Sequence, residues 1–489
     1  MNRNKRCALE TNAKTWQSID WNKVKREVRS LQSRIVKAVK EGRHNKAKSL
    51  QWMLTHSYSA KLFAVKRVTE NTGKRTAGVD GIKWNTANQK MKAVETLKRN
   101  GYKAMPLKRI YILKKNGKKR PLGIPTMKDR AMQALYLMSL DPIAEAKADT
   151  CSYGFRTRRS CADAIARCFI HLSKPNSATW VLEGDIKGCF DHISHEWLLK
   201  NIPVDKTVLY QWLKAGFIED KQLFPTAEGT PQGGIISPSL ANMTLDGMEQ
   251  AINQAIRTKV RGTGLVKRNK YKVHLIRYAD DFIVTAKTPE QLKDKIKPAI
   301  VSFLEVRGLT LSEEKTKITN IAEGFDFLGQ NVRKYKDTLL IKPSKKSVTS
   351  IKEKIREIIV RSRGMKAILL LEQLNPVIRG WCNYHKNVSA KVTFAKLESY
   401  VFTLLWKWAL QQHPKKGRKW IKQKYFITVG NRHWVFATKD EKGKQVTIYQ
   451  ASQTPIIRHT LIKGEANPYD EVWEQYFATR KRAGYRFPQ

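Results

Sequence analysis

Residues 274–284 have the sequence HLIRYADDFIV, in which two adjacent carboxylates, Asp280 and Asp281, stand between two runs of β-prone apolar residues. This pattern predicts a β-hairpin with the acidic pair at its tip. Aspartates are common at turns in general, so the pair by itself indicates nothing more than a turn. Whether the pair has a function beyond the turn depends on which other residues of the chain lie beside it.

A second apolar run ends in a carboxylate upstream of this hairpin. Residues 180–185, WVLEGD, finish at Asp185, and a Lys-Gly turn follows. If this strand and the hairpin are neighbours in one sheet, Asp185 and Asp280 lie close together. Mg²⁺ takes oxygen ligands, often one or two carboxylates together with substrate phosphates. Two such ions about 4 Å apart promote in-line displacement at phosphorus, and this is the chemistry that the pair predicts.

At these residues the chain resembles a reverse transcriptase. Residues 278–281, YADD, resemble the Tyr-x-Asp-Asp box of that family, and Asp185 resembles its first catalytic aspartate. Residues 231–234, PQGG, match the Pro-Gln-Gly box that lies between them. Residues 379–385, RGWCNYH, are similar to the maturase region of group II intron-encoded proteins. The resemblance implies an α+β fold of the right-hand polymerase type, with fingers, a palm on an antiparallel sheet, an α-helical thumb and a small basic C-terminal module.

The resemblance also implies the roles of the acidic residues. Asp185, Asp280 and Asp281 would be catalytic and would bind two Mg²⁺ ions, with Asp281 either a ligand or a support for the other two. A primer 3′-hydroxyl would attack the α-phosphate of a dNTP, and pyrophosphate would leave. Phe190 matches the bulky residue that excludes the ribonucleotide 2′-hydroxyl in this family. The alternative for Phe190 is an ordinary core phenylalanine.

Basic side chains in the fingers are candidates for binding the triphosphate. Residues 109–125 contain an Asn-Gly turn between β-prone runs, which is a strong hairpin signal. Lysine and arginine on such a hairpin can neutralise phosphate charge, although a solvated basic tip is the alternative. Besides Phe190, the candidates for nucleotide binding are Arg120, Lys114, Arg130, Gln232 and Lys315. Lys315 fits a simple surface lysine equally well.

The charge of the chain predicts a polyanionic partner. Lysine and arginine number 93 against 42 acidic residues, which gives a formal net charge of +51. Such an excess favours binding that is driven by counterion release and is therefore sensitive to salt. We find no apolar run long enough to span a bilayer, so nucleic acid is favoured over a membrane surface.

Amphipathic helices are predicted on both sides of the polymerase region. Apolar residues recur at helical spacing over residues 21–42 and 45–68, and again in three basic segments after residue 336, the second of them interrupted at Pro376. The basic helices suit a thumb that grips an A-form duplex through its phosphates and 2′-hydroxyls. A bundle with solvated charged faces is the alternative. The candidates for RNA or template binding are Arg156, Lys352, Arg356, Arg379 and Trp381.

These features predict four consecutive regions. They are an N-terminal helical extension (1–95), fingers and palm (96–335), a thumb that is also maturase domain X (336–414) and a DNA-binding or accessory region (415–489). The resemblance implies an RNA-directed DNA polymerase that binds its intron RNA as a splicing maturase and supports intron mobility by target-primed reverse transcription. Its implied partners are intron RNA, an RNA template with a DNA primer, target DNA and dNTPs. No feature indicates an oligomeric state.

Two other functions stay open at this point. One is an RNA-folding maturase without a polymerase role, which the intact acidic residues disfavour, and the other is an intron-derived reverse transcriptase recruited to another task such as defence. The six cysteines form no Cys-x-x-Cys pair and no signal peptide is recognised. We therefore expect a location in the bacterial cytosol or nucleoid, and no secretion. Without a His-Asn-His arrangement, we expect no HNH endonuclease in this chain.

Overall fold

The computed structural model describes residues 15–113, 117, 119–230, 233–256 and 271–482. The chain divides into two compact units, and both are discontinuous in sequence. The first unit takes residues 1–160, 182–318 and 462–489, and the second takes residues 161–181 and 319–461. Helices and sheets occur in both units, which confirms the predicted α+β class. None of the helices in the described ranges is long and apolar enough to cross a membrane.

Strands and long connections separate several of the α-helices in the described residues. The helices are α1 (Trp21–Lys40), α2 (His44–His56), α3 (Tyr58–Glu70), α4 (Ala87–Thr96), α5 (Met127–Lys147), α6 (Cys161–Leu172), α7 (Cys189–His192), α8 (His195–Asn201), α9 (Lys206–Leu213), α10 (Ser237–Leu245), α11 (Met248–Ala255), α12 (Lys297–Glu305), α13 (Lys345–Arg361), α14 (Ala367–His385), α15 (Lys391–Gln412), α16 (Arg418–Tyr425) and α17 (Glu474–Arg482).

The strands are short and most of them pair within local hairpins. They are β1 (Leu107–Leu113), β2 (Lys119–Ile124), β3 (Trp180–Asp185), β4 (Phe217–Glu219), β5 (Gln222–Phe224), β6 (His274–Tyr278), β7 (Asp281–Ala286), β8 (Lys317–Asn320), β9 (Phe325–Phe327), β10 (Gln330–Tyr335), β11 (Thr338–Pro343), β12 (Phe426–Val429), β13 (Arg432–Lys439) and β14 (Gln445–Thr447).

The N-terminal helices form because apolar residues recur on one face and polar residues cap the ends. Asp20 accepts hydrogen bonds from the first backbone N–H groups of α1, and Val24 and Val28 on that helix are buried. The single helix predicted over residues 45–68 is wrong, because the structure has two helices there, α2 and α3. Ser57 separates them, since its backbone is extended and its side chain caps the start of α3.

The sheet of the fingers has the strand order β2-β1-β4-β5. β1 and β2 form an antiparallel hairpin in which Leu113 faces Lys119, as the Asn-Gly turn in residues 109–125 predicted. β4 joins the free edge of β1 in parallel. Lys114, which the sequence places at the tip, lies outside the described residues.

The sheet of the palm has the strand order β6-β7-β3-β8. β6 and β7 are antiparallel, and Tyr278 faces Asp281 across the hairpin. The turn that joins them therefore consists of Ala279 and Asp280. β3 and β8 belong to the first unit through residues 182–185 and 317–318. The predicted hairpin with its acidic tip is confirmed.

The second unit combines two three-stranded sheets, β11-β10-β9 and β12-β13-β14, with a helical bundle. In the bundle, α13 packs against both α14 and α15, and Ile355, Leu374 and Leu397 are buried. The predicted interruption at Pro376 is wrong, because α14 runs through this proline. A proline removes one backbone hydrogen bond, and the burial of Leu374 and Ile378 on either side offsets that loss.

A buried ionic cluster holds together the segment that follows α5 in the first unit. Arg156 donates from Nη2 and Nε to the two carboxylate oxygens of Glu145, at 2.7 and 2.9 Å. Nε of Arg159 lies 3.3 Å from the same carboxylate. Arg156 also donates to the carbonyl oxygens of Asp149 and Ser152. A buried guanidinium needs such partners, because an uncompensated buried charge is strongly destabilising.

Replacing Glu145 with alanine should lower the free energy of unfolding by about 3–5 kcal/mol, because two buried guanidinium groups would lose their counter-ion. Urea denaturation monitored by tryptophan fluorescence measures this change. Glu70→Ala is the matched control, since Glu70 pairs with Lys66 at the surface and its side chain is 57% exposed. The control should change stability by no more than about 0.5 kcal/mol. Equal effects of the two variants would contradict the assigned structural role of the cluster.

Candidate active site

Two neighbouring strands of the palm sheet bring three carboxylates to one end of it. Asp185 is the last residue of β3, Asp280 lies in the turn after β6, and Asp281 is the first residue of β7. Because β7 lies next to β3, the carboxylates interact, and the charge of Asp185 acts on both Asp280 and Asp281. The structure thus brings together the three residues that the sequence singled out.

The turn that carries Asp280 is held by a glycine from another segment. Ala279 has a left-handed backbone (φ 57°), which is strained for a residue with a side chain. A Cβ atom added to Gly154 would lie 2.3 Å from the backbone nitrogen of Ala279, so only glycine fits there. The Tyr153 N–H donates to the Arg277 carbonyl at 2.9 Å, and the Arg277 N–H donates to the Cys151 carbonyl at 3.0 Å. Residues 151–154 therefore support the turn from outside the hairpin.

A second glycine allows the two carboxylate-bearing strands to approach. A Cβ atom added to Gly184 would lie 2.2–2.8 Å from three carbon atoms of the Phe282 ring. The missing side chain leaves room for this ring, which is buried. Gly184 precedes Asp185, and Phe282 follows Asp281. The packing of ring against glycine therefore sets the separation of the acidic residues.

The sequence interpretation missed Arg277, which positions the same turn. Its side chain is fully buried, and it donates to Asp246 Oδ1 at 2.5 Å, to Asn242 Oδ1 at 3.2 Å and to the Ala279 carbonyl at 3.4 Å. The available signal was a cation within the apolar run of residues 274–278. A charged residue at such a position has to find buried partners, and here those partners lie beside the turn of Ala279 and Asp280.

The three carboxylates form a patch of excess negative charge. Desolvation in the cleft and the charges of Asp280 and Asp185 raise the pKa of Asp281 to about 6, although its side chain is accessible to solvent. Desolvation also raises the pKa of Asp280, and the charge of Asp185 adds to this effect. Lys315 Nζ lies 2.6 Å from Asp185 Oδ2, and this hydrogen bond raises the pKa of the lysine. Lys315 is the cation in direct contact with Asp185, and the three carboxylates outnumber it, so the cluster can attract a further cation.

The donor set fits a hard divalent cation. It consists of carboxylate oxygens, which Mg²⁺ prefers, and their mutual repulsion is the kind that a bound cation relieves. In the part of the chain that the structure describes, no three Asp, Glu, His or Cys side chains converge closely enough to enclose a metal ion on their own. Magnesium sites that act on phosphates commonly use one or two carboxylates and take their other ligands from phosphate and water.

Candidates for nucleotide binding surround the carboxylates. Phe190 is half-buried on α7, and its carbonyl accepts a hydrogen bond from the Thr230 N–H at 2.6 Å. Arg120 is exposed on β2, and its charge lowers the pKa of Asp280, so it lies within electrostatic reach of the cluster. Lys315 touches Asp185 directly. Gln232, like Lys114, lies outside the described residues.

Arg130 and Arg156 are placed differently from the predictions. Arg130 is buried and donates to the carbonyl oxygens of Pro125, Gly73 and Thr76, at 2.9, 3.0 and 2.6 Å. Arg156 is buried in the Glu145 cluster described above. Their donors are used within the protein, which argues against the predicted contacts of Arg130 with the triphosphate and of Arg156 with the template. We assign structural roles to both residues.

The candidates for RNA binding in the second unit differ in exposure. Arg356 on α13 is exposed, whereas Lys352 is half-buried with its ammonium 5.0 Å from the centre of the Tyr400 ring. Arg379 on α14 is exposed, and its guanidinium lies 5.3 Å from the centre of the Tyr449 ring. The aromatic ring attracts the cation without neutralising its charge. These three residues therefore stay candidates.

Trp381 on α14 makes several contacts within the second unit. Its indole N–H donates to Ser347 Oγ at 3.1 Å, and its ring packs against His385 and Phe394 at centroid distances of 4.5 and 5.8 Å. His385 is itself buried and bonded to Ser347 and Gln330. Trp381 is half-buried and packs within the helical bundle, and its contact with RNA stays a prediction.

Three family models match this chain in the expected order. The N-terminal domain of reverse transcriptase matches residues 16–97, reverse transcriptase (RNA-dependent DNA polymerase) matches residues 112–332, and the maturase-specific domain of group II introns matches residues 348–426. The carboxylate cluster lies within the second match, and the bundle of α13, α14 and α15 lies within the third.

Relatives among characterised proteins agree with these matches. The group II intron-encoded protein LtrA of Lactococcus lactis subsp. cremoris is 30% identical over 429 residues, which cover 69% of this chain and 71% of LtrA. The chain belongs to the group II intron-encoded proteins. It is a reverse transcriptase, an RNA-directed DNA polymerase, with a maturase domain, and proteins of this type bind RNA and DNA and use divalent metal ions.

Other similarities are weaker or less informative about function. Protein YkfC of Escherichia coli (strain K12) is 34% identical over 301 residues, which cover 55% of this chain and 79% of that protein. A telomerase structure from Candida albicans aligns with a TM-score of 0.37 and 12% identity, covering 67% of this chain and 65% of that one. This structural similarity is low, and the family assignment rests on the sequence matches.

Replacing Asp281 with asparagine should raise the melting temperature of the metal-free reverse transcriptase at pH 7.5. The carboxyl has a pKa of about 6 in the folded protein, above the value of about 3.9 for an unfolded chain. The folded protein therefore favours the protonated carboxyl. Its contribution to stability is present at pH 4 and is lost as the pH rises through 6 and the carboxyl ionises. Asparagine stays neutral, so the gain should be smallest near pH 4, grow between pH 4 and 6, and be complete above pH 6. Calorimetry in EDTA at pH 4 and 7.5 measures it.

Asp337→Asn is the control, because it removes a carboxylate from the exposed turn between β10 and β11. Equal shifts for the two variants at pH 7.5, or a gain for Asp281→Asn that is largest at pH 4, would contradict this electrostatic account.

Proposed function

We propose that this group II intron-encoded reverse transcriptase copies its intron RNA into DNA at the cluster of Asp185, Asp280 and Asp281. Asp185 and Asp280 hold two Mg²⁺ ions, and Asp281 is a further ligand or a support. The observation that carries this proposal is that β3 and the β6–β7 hairpin bring Asp185 beside Asp280 and Asp281, whose carboxyl groups are both desolvated. Mg²⁺ bound there would neutralise the phosphates and orient the attacking and leaving oxygens.

The residues around the cluster bind the triphosphate, assist the departing pyrophosphate and select the sugar. Arg120 faces the cluster from the fingers and binds the triphosphate of the incoming dNTP, where a guanidinium can form paired hydrogen bonds. Lys315 lies beside Asp185 and supplies either charge or a proton to the departing pyrophosphate. Phe190 blocks the space of a ribonucleotide 2′-hydroxyl, so that dNTPs are preferred. Together these roles describe transfer of a nucleotide to a primer 3′-hydroxyl.

We also propose that the maturase domain binds intron RNA and stabilises its spliceable fold, while the RNA performs the splicing chemistry. The same helices would grip the template–primer duplex as a thumb. Support comes from the match of residues 348–426 to the maturase-specific domain and from basic side chains along α13 and α14, among them Arg356 and Arg379. A net charge of +51 adds general affinity for RNA.

The C-terminal region offers a surface for target DNA. Lys422 Nζ lies 4.6 Å from the centre of the Trp434 ring, and Lys424 Nζ lies 4.8 Å from that of Trp420. Both rings are more than one-third exposed. Lysines interleaved with accessible aromatic rings suit a nucleic-acid strand, whose bases stack while its phosphates meet the cations. This supports a role in intron mobility by target-primed reverse transcription in the bacterial cytosol or nucleoid.

An RNA-folding maturase without polymerase activity is the less favoured alternative. Such a protein has no need to hold three carboxylates together against their repulsion. A task outside intron mobility, such as defence, uses the same active site, and only the identity of the RNA that is copied distinguishes it.

Primer extension on an RNA template tests the catalytic proposal. The parent protein should extend a DNA primer in Mg²⁺ and dNTPs, and EDTA should abolish extension. Asp280→Ala should reduce the rate by roughly 10³-fold or more, because the loss of metal-based charge stabilisation is worth several kcal/mol. Glu70→Ala removes an exposed carboxylate from α3 and should keep the parental rate. A folded Asp280→Ala variant with the parental rate would overturn the proposed site.

The same assay tests the thumb. Arg356→Ala should raise the KM for template–primer several-fold, leave kcat unchanged and reduce the slope of the salt dependence by about one counter-ion. The double variant Glu357→Ala/Arg361→Ala is the control, because it removes an ion pair from the same helix without changing the helix charge. If the control variant weakens template–primer binding as much as Arg356→Ala, the assigned contact is wrong.

A further inference from the structure

Phe155 is an exposed aromatic residue with a strained backbone beside the proposed sugar barrier. Its side chain is 56% exposed, and its backbone is left-handed with φ 57°. Few residues with a side chain adopt this conformation, and those that do often belong to functional sites. Its ring meets the ring of Phe190 edge to face, with centroids 6.2 Å apart and planes at 77°. This is a favourable geometry for two aromatic rings.

The residues on both sides of Phe155 are held in place, one against the turn of Asp280 and the other by the buried ionic cluster. Gly154 packs against the Ala279 nitrogen of the catalytic turn, as described above, and its carbonyl accepts a hydrogen bond from the Asn242 amide at 2.7 Å. Arg156 is held by the carboxylate of Glu145. The neighbours of Phe155 therefore impose its strained backbone. The segment that positions its ring, residues 151–154, also supports the turn of Asp280.

The main chain of Phe190 is held by contacts with Gly229 and Thr230. Its carbonyl accepts from the Thr230 N–H, and a Cβ atom added to Gly229 would lie 2.8 Å from the same carbonyl oxygen. These contacts fix where the side chain of Phe190 begins. They do not set the rotamer of its ring, which the edge of Phe155 can set.

We propose that Phe155 is a positioning residue for the selection of deoxyribonucleotides, because its ring holds the Phe190 ring in the place where a 2′-hydroxyl would lie. This inference rests on the proposed role of Phe190. It adds a second specificity-determining residue from a segment outside the Tyr-x-Asp-Asp hairpin and links the barrier mechanically to the catalytic turn. Phe155 acts through Phe190 and has no part in the chemical step.

Single-nucleotide insertion of dTTP and UTP opposite adenine in an RNA template tests this role. Phe155→Leu keeps an apolar side chain but removes the edge-to-face contact, and it should lower the ratio of kcat/KM for dTTP to that for UTP by roughly 2- to 12-fold, the range for one aromatic pair. The change should come mainly from better use of UTP. Phe155→Tyr keeps the ring and should retain the parental ratio. Phe169→Ala, at an exposed phenylalanine of α6, is the control and should also retain it.

Two further variants separate this inference from the function on which it rests. Phe190→Ala should lower the ratio more than Phe155→Leu does, and adding Phe155→Leu to Phe190→Ala should lower it no further, because the two rings act as one unit. If Phe190→Ala relaxes selection while Phe155→Leu leaves the ratio unchanged or slows both nucleotides equally, the role of Phe155 is overturned and the barrier stands. If Phe190→Ala leaves the ratio unchanged, the barrier itself is wrong, and this inference fails with it.

Discussion

The structure of the active site depends on holding carboxylates together that repel one another. Asp185, Asp280 and Asp281 meet because β7 lies beside β3, and this approach requires the missing side chain of Gly184 beneath the Phe282 ring. Desolvation, and after it the charges of the neighbouring carboxylates, raise the pKa values of Asp280 and Asp281, so the arrangement has a cost. A divalent cation would reverse that cost, which explains why a polymerase tolerates an unfavourable cluster in its palm.

Much of the rigidity that sustains this cluster comes from buried cations beneath it. Arg277 lies beside the turn of Ala279 and Asp280, and its guanidinium donates hydrogen bonds to Asp246 and Asn242. Arg156, paired with Glu145, fixes the segment whose Gly154 touches the turn. In a chain with an excess of basic residues, the arginines therefore divide into two classes. Buried ones such as Arg277 and Arg156 shape the palm, and others such as Arg120 and Arg356 are exposed at the surface.

The sequence was most informative where chemistry requires particular residues in a local pattern. The hairpin of residues 274–284, the strand that ends at Asp185 and the fingers hairpin follow from apolar alternation and turn residues, and the structure has all three. Short motifs do not encode burial, which depends on distant parts of the chain. For this reason Arg130 and Arg156 looked like surface contacts in the sequence, but both are buried and their guanidinium groups bond within the protein. The break at Ser57 was missed because capping overrides a continuous apolar pattern.

The sequence did not predict which distant stretches of the chain pack into the same unit. The two compact units are assembled from separated stretches, with residues 161–181 grouped with 319–461 and residues 462–489 grouped with the start of the chain. Nothing in local periodicity specifies such pairings. The support of Ala279 by Gly154, and the contact of Phe155 with Phe190, are likewise meetings of segments whose individual patterns are ordinary.

The most direct test of the central claim is anomalous diffraction from a crystal of the protein with an RNA template, a DNA primer, a non-hydrolysable dNTP and Mn²⁺. The account predicts two manganese peaks about 4 Å apart between the carboxylates of Asp185 and Asp280. It also predicts that Lys315 Nζ has left its 2.6 Å contact with Asp185 Oδ2. A bound nucleotide with the Lys315–Asp185 pair intact, and no manganese at these carboxylates, would contradict it.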